Sequence, residues 1–131
     1  MNLTEEKIKC SVAERKRSHL KLLRHAATYE SFLDVEKAAF KAGALDVKAK
    51  ELMALSISIV TKCEPCMEWH LHQALTHGAS EAEIYETIDV AIEMGGGPAA
   101  AYARFVVTAL ELARGETKDS SSADEDELSR G

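Results

Sequence analysis

The stretch Val47–Val60, VKAKELMALSISIV, carries Leu52, Leu55, Ile57, Ile59 and Val60 on more than one side of a helix drawn through it. A helix that is apolar over much of its circumference belongs inside a protein, so the other elements have to be arranged around it. Its second half, Leu55–Val60, is rich in β-branched residues and resembles a strand. Continuity with the helix-forming KAKELMAL upstream favours helix. Asp46 supplies an N-cap.

The flanking segments read as helices too. From about Thr4 to His25, Ile8, Val12, His19, Leu22 and Leu23 fall roughly on one side, with Thr4 and Lys7 a weak cap. Tyr29–Ala42 offers Phe32, Leu33, Val35, Ala39 and Phe40 and stops at Gly43. The helical pattern then breaks at Thr61–Lys62. Thr61 with Glu64 fits a capping box, but that would put Pro65 at the fourth helical position, where its missing N–H is needed. A start at Cys63 or Glu64 leaves Pro65 in the tolerated first turn. That helix runs to His77 and ends at Gly78. Ser80 with Glu83 opens the next through a capping box and it continues to Met94. Gly95–Gly97 break it, and Pro98 starts a last helix ending near Gly115.

With no repeat and no alternating strand, the expectation is an all-α fold of about six helices around one core. The chain of 131 residues suffices for one domain. The expected organisation is an N-terminal helical extension over residues 1–28, a core domain over 29–115 and a disordered acidic tail over 116–131. That tail holds six acids and two bases, −4 of the total −6, which leaves −2 for the body.

Such a body carries no basic footprint for nucleic acid. Arg15, Lys16 and Arg17 beside Glu14 read as a solvated helix face. No run of about 18 apolar residues predicts a membrane span, and MNLTEEKIKC lacks the apolar core of a signal. A cytoplasmic location is the expectation. Three cysteines in such a chain disfavour a disulfide framework and favour a metal or catalytic role for the close pair.

That pair is Cys63-Glu64-Pro65-Cys66, with His70 four residues beyond the second cysteine and Glu51 on the preceding helix. Residues four apart on a helix are neighbours, so Cys66 and His70 share a face. Cys63 lies at or just before the helix start, within bonding range of Cys66. Unpaired N–H groups and a partial positive charge at a helix N-terminus favour thiolate, the nucleophilic form. An imidazole nearby can take the thiol proton and return one to a leaving oxygen. The second cysteine can then resolve a sulfenic acid as a disulfide. Glu51 would orient the ring and stabilise its charged form.

Glu51, Cys63, Cys66 and His70 form the pattern E-x11-C-x2-C-x3-H, which resembles that of the AhpD-like proteins of the carboxymuconolactone decarboxylase superfamily. LDVKAKELMALSISIVTKCEPCMEWH looks like the family's central helix pair, and HGASEAEIYETIDVAIEMGGGPAAAY resembles the family segment on the C-terminal side of that pair. The likeness spans about Tyr29 to Ala113. It implies an all-α bundle assembled into homo-oligomers, often trimers or hexamers. It also implies reduction of a hydroperoxide or disulfide without metal, haem or other cofactor, with an external dithiol or redox protein as electron donor. Cys66 matches the peroxide-attacking cysteine, Cys63 its disulfide partner, and His70 with Glu51 the proton relay. Some members carry His just before the second cysteine, where this chain has Pro65. Both a peroxidase and a general disulfide reductase therefore stay open.

Two other readings compete. Cys63, Cys66 and His70, with Glu51, His77 or a neighbouring subunit as fourth ligand, could hold zinc in a structural oligomer. The wider superfamily brings in a decarboxylase acting on a small lactone, although such chemistry has no evident need for the cysteine pair. A c-type haem site is disfavoured because Met67, not His, stands directly after Cys66. His72 is expected at the surface, His77 near a helix C-terminus, where a partly cationic ring is favourable, and Trp69 in packing. His19, His25 and Cys10 carry no assigned role. Gly95–Gly97 lack the spacing of a dinucleotide loop and suit a tight helix connection. Ser120–Ser122 belong to the tail.

Overall fold

A computed structural model of the chain describes residues 2–115. The expected tail at 116–131 lies outside them. The helices are α1 (Leu3–His25), α2 (Ala27–Phe40), α3 (Val47–Val60), α4 (Glu64–Thr76) and α5 (Glu81–Ala113), and no strand occurs among the described residues. The fold is all-α, with five helices among the described residues rather than six. The two helices expected after Ser80 run together as α5, bent at Gly96.

The bend has a local cause. Gly96 sits at φ +70° and ψ −151°, a region open essentially to glycine alone. Beyond this interruption Pro98 falls in the first turn of the second half, where a missing N–H is tolerated. At Gly95 a Cβ would stand 2.7 Å from that of Ala99 and 3.3 Å from Cγ2 of Val60, so glycine lets the bend pass close to the end of α3.

α3 packs most extensively, against α5 and α4. Its buried positions are Glu51, Leu55, Ser58 and Ile59. The largest fully buried side chains are Leu55, Ile59, Met67, Leu71, Ile84, Val106 and Leu110, all on α3–α5. At about 1.5–3 kcal/mol for each large apolar side chain removed from water, these three helices carry the hydrophobic stabilisation. α1 contributes Ile8, its one buried residue, and α2 contributes none. Leu22, Phe32 and Val35, expected on apolar faces, stand exposed.

The cap of α1 also differs from expectation. Asn2, not Thr4, is the N-cap: its Oδ1 accepts from the Glu5 N–H at 2.8 Å, and Glu5 reciprocates. The caps at Asp46 and Ser80 are as expected. No helix of the described residues is long and apolar enough to cross a membrane.

Candidate active site

The connection between α3 and α4 puts the cysteines where helix electrostatics can act on them. α3 ends at Thr61 as C-cap, and Lys62 takes φ +60°. The Lys62 N–H donates to the Ile59 carbonyl at 3.2 Å and the Cys63 N–H to that of Ser58 at 3.0 Å. This is the Schellman pattern, with lysine in the left-handed position where Gly78 performs the same turn after α4. Thr61 therefore closes α3 and does not open α4. The turn leaves Cys63 as N-cap of α4, with Glu64 first in the helix, Pro65 in its first turn and Cys66 beside it. Cys63 and Cys66 are joined by a disulfide, their Cα atoms 5.2 Å apart. The first N–H groups of α4 have no partner one turn back, so a thiolate released at either sulfur would face the positive end of the helix.

One turn beyond Cys66, the His70 Nδ1–H donates to Glu51 Oε2 at 2.7 Å. The carboxylate is buried, its side chain 6% exposed, and the imidazole nearly so at 16%. A buried carboxylate without a partner is costly, and His70 satisfies this one. Residues 19 apart in sequence are thus brought together by α3–α4 packing. Phe40, at the end of α2, stacks on the ring, with centroids 5.4 Å apart and planes inclined by 17°. No sequence signal marked Phe40 beyond its apolarity.

A second buried carboxylate lies on α4. Glu68 accepts from Arg15 Nε and Nη2, each at 3.2 Å. The Arg15 guanidinium also lies over the Trp69 ring, 4.6 Å from its centroid, and Trp69 Nε1–H donates to Glu36 at 3.3 Å. Lys16 and Arg17 are exposed as expected, but Arg15 is half-buried and engaged rather than part of a solvated face. Trp69 does serve packing, between α1 and α2. Lys7 of α1 also reaches Glu64, at 2.7 Å. Between α1, α2, α3 and α4 runs a groove of about 910 Å³, whose walls include Tyr29, Phe40, Glu51, Trp69 and Gln73.

The remaining candidates fall outside this constellation. His77 is the C-cap of α4, its Nδ1–H donating to the Gln73 carbonyl at 2.9 Å. His72 is exposed, and Cys10 is a free, exposed thiol on α1. His19 shares a 2.7 Å hydrogen bond with the Tyr29 hydroxyl. Among the described residues, no three of His, Cys, Asp or Glu are grouped so as to hold a metal ion.

A sequence model described as the carboxymuconolactone decarboxylase family matches residues 26–109. An uncharacterised protein of Cupriavidus necator is 40% identical over 77 residues, 59% of this chain and 68% of its own. Another, protein 4 of the cox locus of Paracoccus denitrificans, is 38% identical over 86 residues, 66% of this chain and 78% of its own. Among solved structures, a Thermotoga maritima protein superposes with a TM-score of 0.73 at 36% identity, covering 82% of this chain and 96% of that one. It is described as a carboxymuconolactone decarboxylase family protein with a suggested involvement in antioxidative response. A family protein of Legionella pneumophila gives 0.62 at 30% identity, covering 82% and 91%.

Proposed function

The chain belongs to the carboxymuconolactone decarboxylase family of the AhpD-like superfamily, and we propose that it is a thiol-dependent peroxidase in which Cys66 is the nucleophile. The observation that carries this reading is the buried Glu51–His70 hydrogen bond, one turn beyond a cysteine pair that closes a disulfide. A carboxylate on Nδ1 holds the ring in the tautomer whose Nε2 is available as a base.

In the reduced protein, His70 takes the Cys66 proton. The thiolate attacks the terminal oxygen of a hydroperoxide, ROOH, and the O–O bond breaks. The alkoxide leaves as ROH with the proton from His70, and Cys66 becomes a sulfenic acid. The Cys63 thiol attacks that sulfur, water departs, and the disulfide forms. An external dithiol or redox protein supplies two electrons and two protons by thiol–disulfide exchange, restoring both thiols and becoming a disulfide itself. The same exchange serves a disulfide substrate when a thiolate attacks sulfur instead of oxygen. Glu51 stabilises the imidazolium while it carries the proton.

This cycle suits a reducing compartment, the cytoplasm. We also propose a homo-oligomer, trimer or hexamer. In support, Met53, Ile57 and Val60 form a stripe of exposed apolar side chains along α3, and Met94 is exposed next to Gly95, which approaches Val60. Apolar surface of this kind is typical of subunit contacts. Molar mass in solution tests that part.

The test of activity is peroxide consumption in the presence of a dithiol. Cys66→Ser should reduce turnover to background. Without added dithiol, Cys63→Ser should still consume one equivalent per chain but form no intrachain disulfide. Full turnover by Cys66→Ser would overturn the reading.

A further inference from the structure

Glu51 holds His70 at one atom, and a single hydrogen bond leaves the imidazole free to rock about it. The face of the ring is held by Phe40, at 5.4 Å between centroids and 17° between planes. Phe40 is the last residue of α2, a helix with no buried residue and only slight packing on α3. The end of such a helix tends to fray.

Here that end is fastened from α3. Lys50 Nζ donates to the carbonyls of Ala39 at 2.9 Å and Lys41 at 2.5 Å, on either side of Phe40. The last carbonyls of a helix lack intrahelical donors and carry the negative end of its dipole. An ammonium placed there both satisfies and attracts them. Lys50 is the residue before Glu51, so α3 reaches His70 twice from adjacent positions: directly through Glu51, and indirectly through Lys50 and Phe40.

We propose that Phe40 is a positioning residue for the His70 imidazole, and that Lys50 fixes Phe40 in place by clamping the end of α2. The catalytic consequence rests on the thiol chemistry proposed above; the positioning itself does not. With the ring plane set, Nε2 is aimed before the Cys66 proton is transferred. Without it the ring samples orientations in which transfer is misaligned, and misplacement by an ångström costs rate.

The experiment compares wild type, Phe40→Leu, Phe40→Tyr and Lys50→Met. The two readouts are the rate of peroxide-driven loss of the Cys63 and Cys66 thiols, and the NMR shifts of the carbon-bound ring protons of His70. A stacked phenyl shifts those protons upfield through its ring current. Phe40→Leu should slow thiol loss about tenfold and remove the upfield shift. Phe40→Tyr should restore both, and Lys50→Met should change both in the direction of Phe40→Leu. A folded Phe40→Leu protein with wild-type rate or wild-type ring shifts would overturn the proposal. Should Phe40→Leu fail to fold, Lys50→Met decides in its place: wild-type rate or shifts there would overturn it. A wild-type protein whose thiols ignore peroxide would defeat the thiol reading instead, and the ring shifts would still decide the positioning.

Discussion

Glu51 and Glu68 are the two carboxylates buried among the described residues, at 5% and 7% exposure. Each is paired across a helix contact, Glu51 with His70 of α4 and Glu68 with Arg15 of α1. The burial is alike and the chemistry is opposite. Arg15 makes two bonds of 3.2 Å through a guanidinium fork that only donates, so the pair can only hold helices together. His70 makes one bond of 2.7 Å through one nitrogen of a ring whose second nitrogen can serve as an acid or a base. Glu68 is two residues from Cys66 in sequence, Glu51 fifteen. The kind of base that meets each carboxylate, more than its distance along the chain, makes one pair structural and the other fit to serve a thiol.

The strongest way to break this comparison is to neutralise each carboxylate separately and follow the reaction of the thiols with peroxide. Glu51→Gln or His70→Asn should slow it by about 100-fold, within the range of a lost general base. Glu68→Gln should leave it within about twofold. Equal losses in the two carboxylate variants would erase the distinction.

Stability should sort the pairs the other way. Glu68→Gln and Arg15→Met should each cost about 1–2 kcal/mol in denaturant unfolding, discounted because the Arg15 side chain is 32% exposed. The double variant should cost less than the sum, since the partners couple. Glu51→Gln keeps an acceptor for the single His70 Nδ1–H bond, whereas Glu68→Gln keeps only one of the two acceptors that Arg15 uses, so Glu51→Gln should cost less.

The smallest expected effect comes from a solvent-facing pair. Glu83 is held below its ordinary 4.5, first by the Ser80 backbone N–H and next by Lys48. Its contribution to stability is complete above that ordinary value and is lost as pH falls through the lowered one. The deficit of Glu83→Gln in thermal unfolding should therefore be present at neutral pH and close in acid. Lys48 is held above its ordinary 10.5, chiefly by Glu83, so its contribution is complete below 10.5 and fades as pH rises through the raised value. Neither group changes state near neutrality. A pH dependence of the thiol reaction there would belong to the site and not to this pair.

Much of the site was legible because it is written on two consecutive helices. The capping residues Asp46 and Ser80, and Pro65 in a first turn, set boundaries that local chemistry dictates. Glu51 stood out as an acid on a largely apolar helix, and His70 as the residue one turn after Cys66. What could not be read depends on crossings between distant segments. Arg15 meets Glu68 across 53 residues, and Trp69 meets Glu36 across 33. Nothing in the run Arg15-Lys16-Arg17 tells which member turns inward. Phe40 and Lys50 meet around the end of α2, where a stacking ring and a capping ammonium look like any apolar and any charged residue. The bend in α5 was legible as a break at the glycines, but whether the chain stops there or continues as one bent helix depends on how closely Gly95 passes Val60.

The most direct test of the central claim is a thiol count on Cys10→Ser protein, which leaves only the paired cysteines. It is taken before and after one equivalent of peroxide, with metal analysis on the same sample and Glu51→Gln run beside it. The account predicts two thiols lost per chain, no stoichiometric metal and recovery with a dithiol, with Glu51→Gln reaching the same end point about 100 times more slowly. Two unreactive thiols with stoichiometric zinc, or a Glu51→Gln protein as fast as its parent, would contradict it.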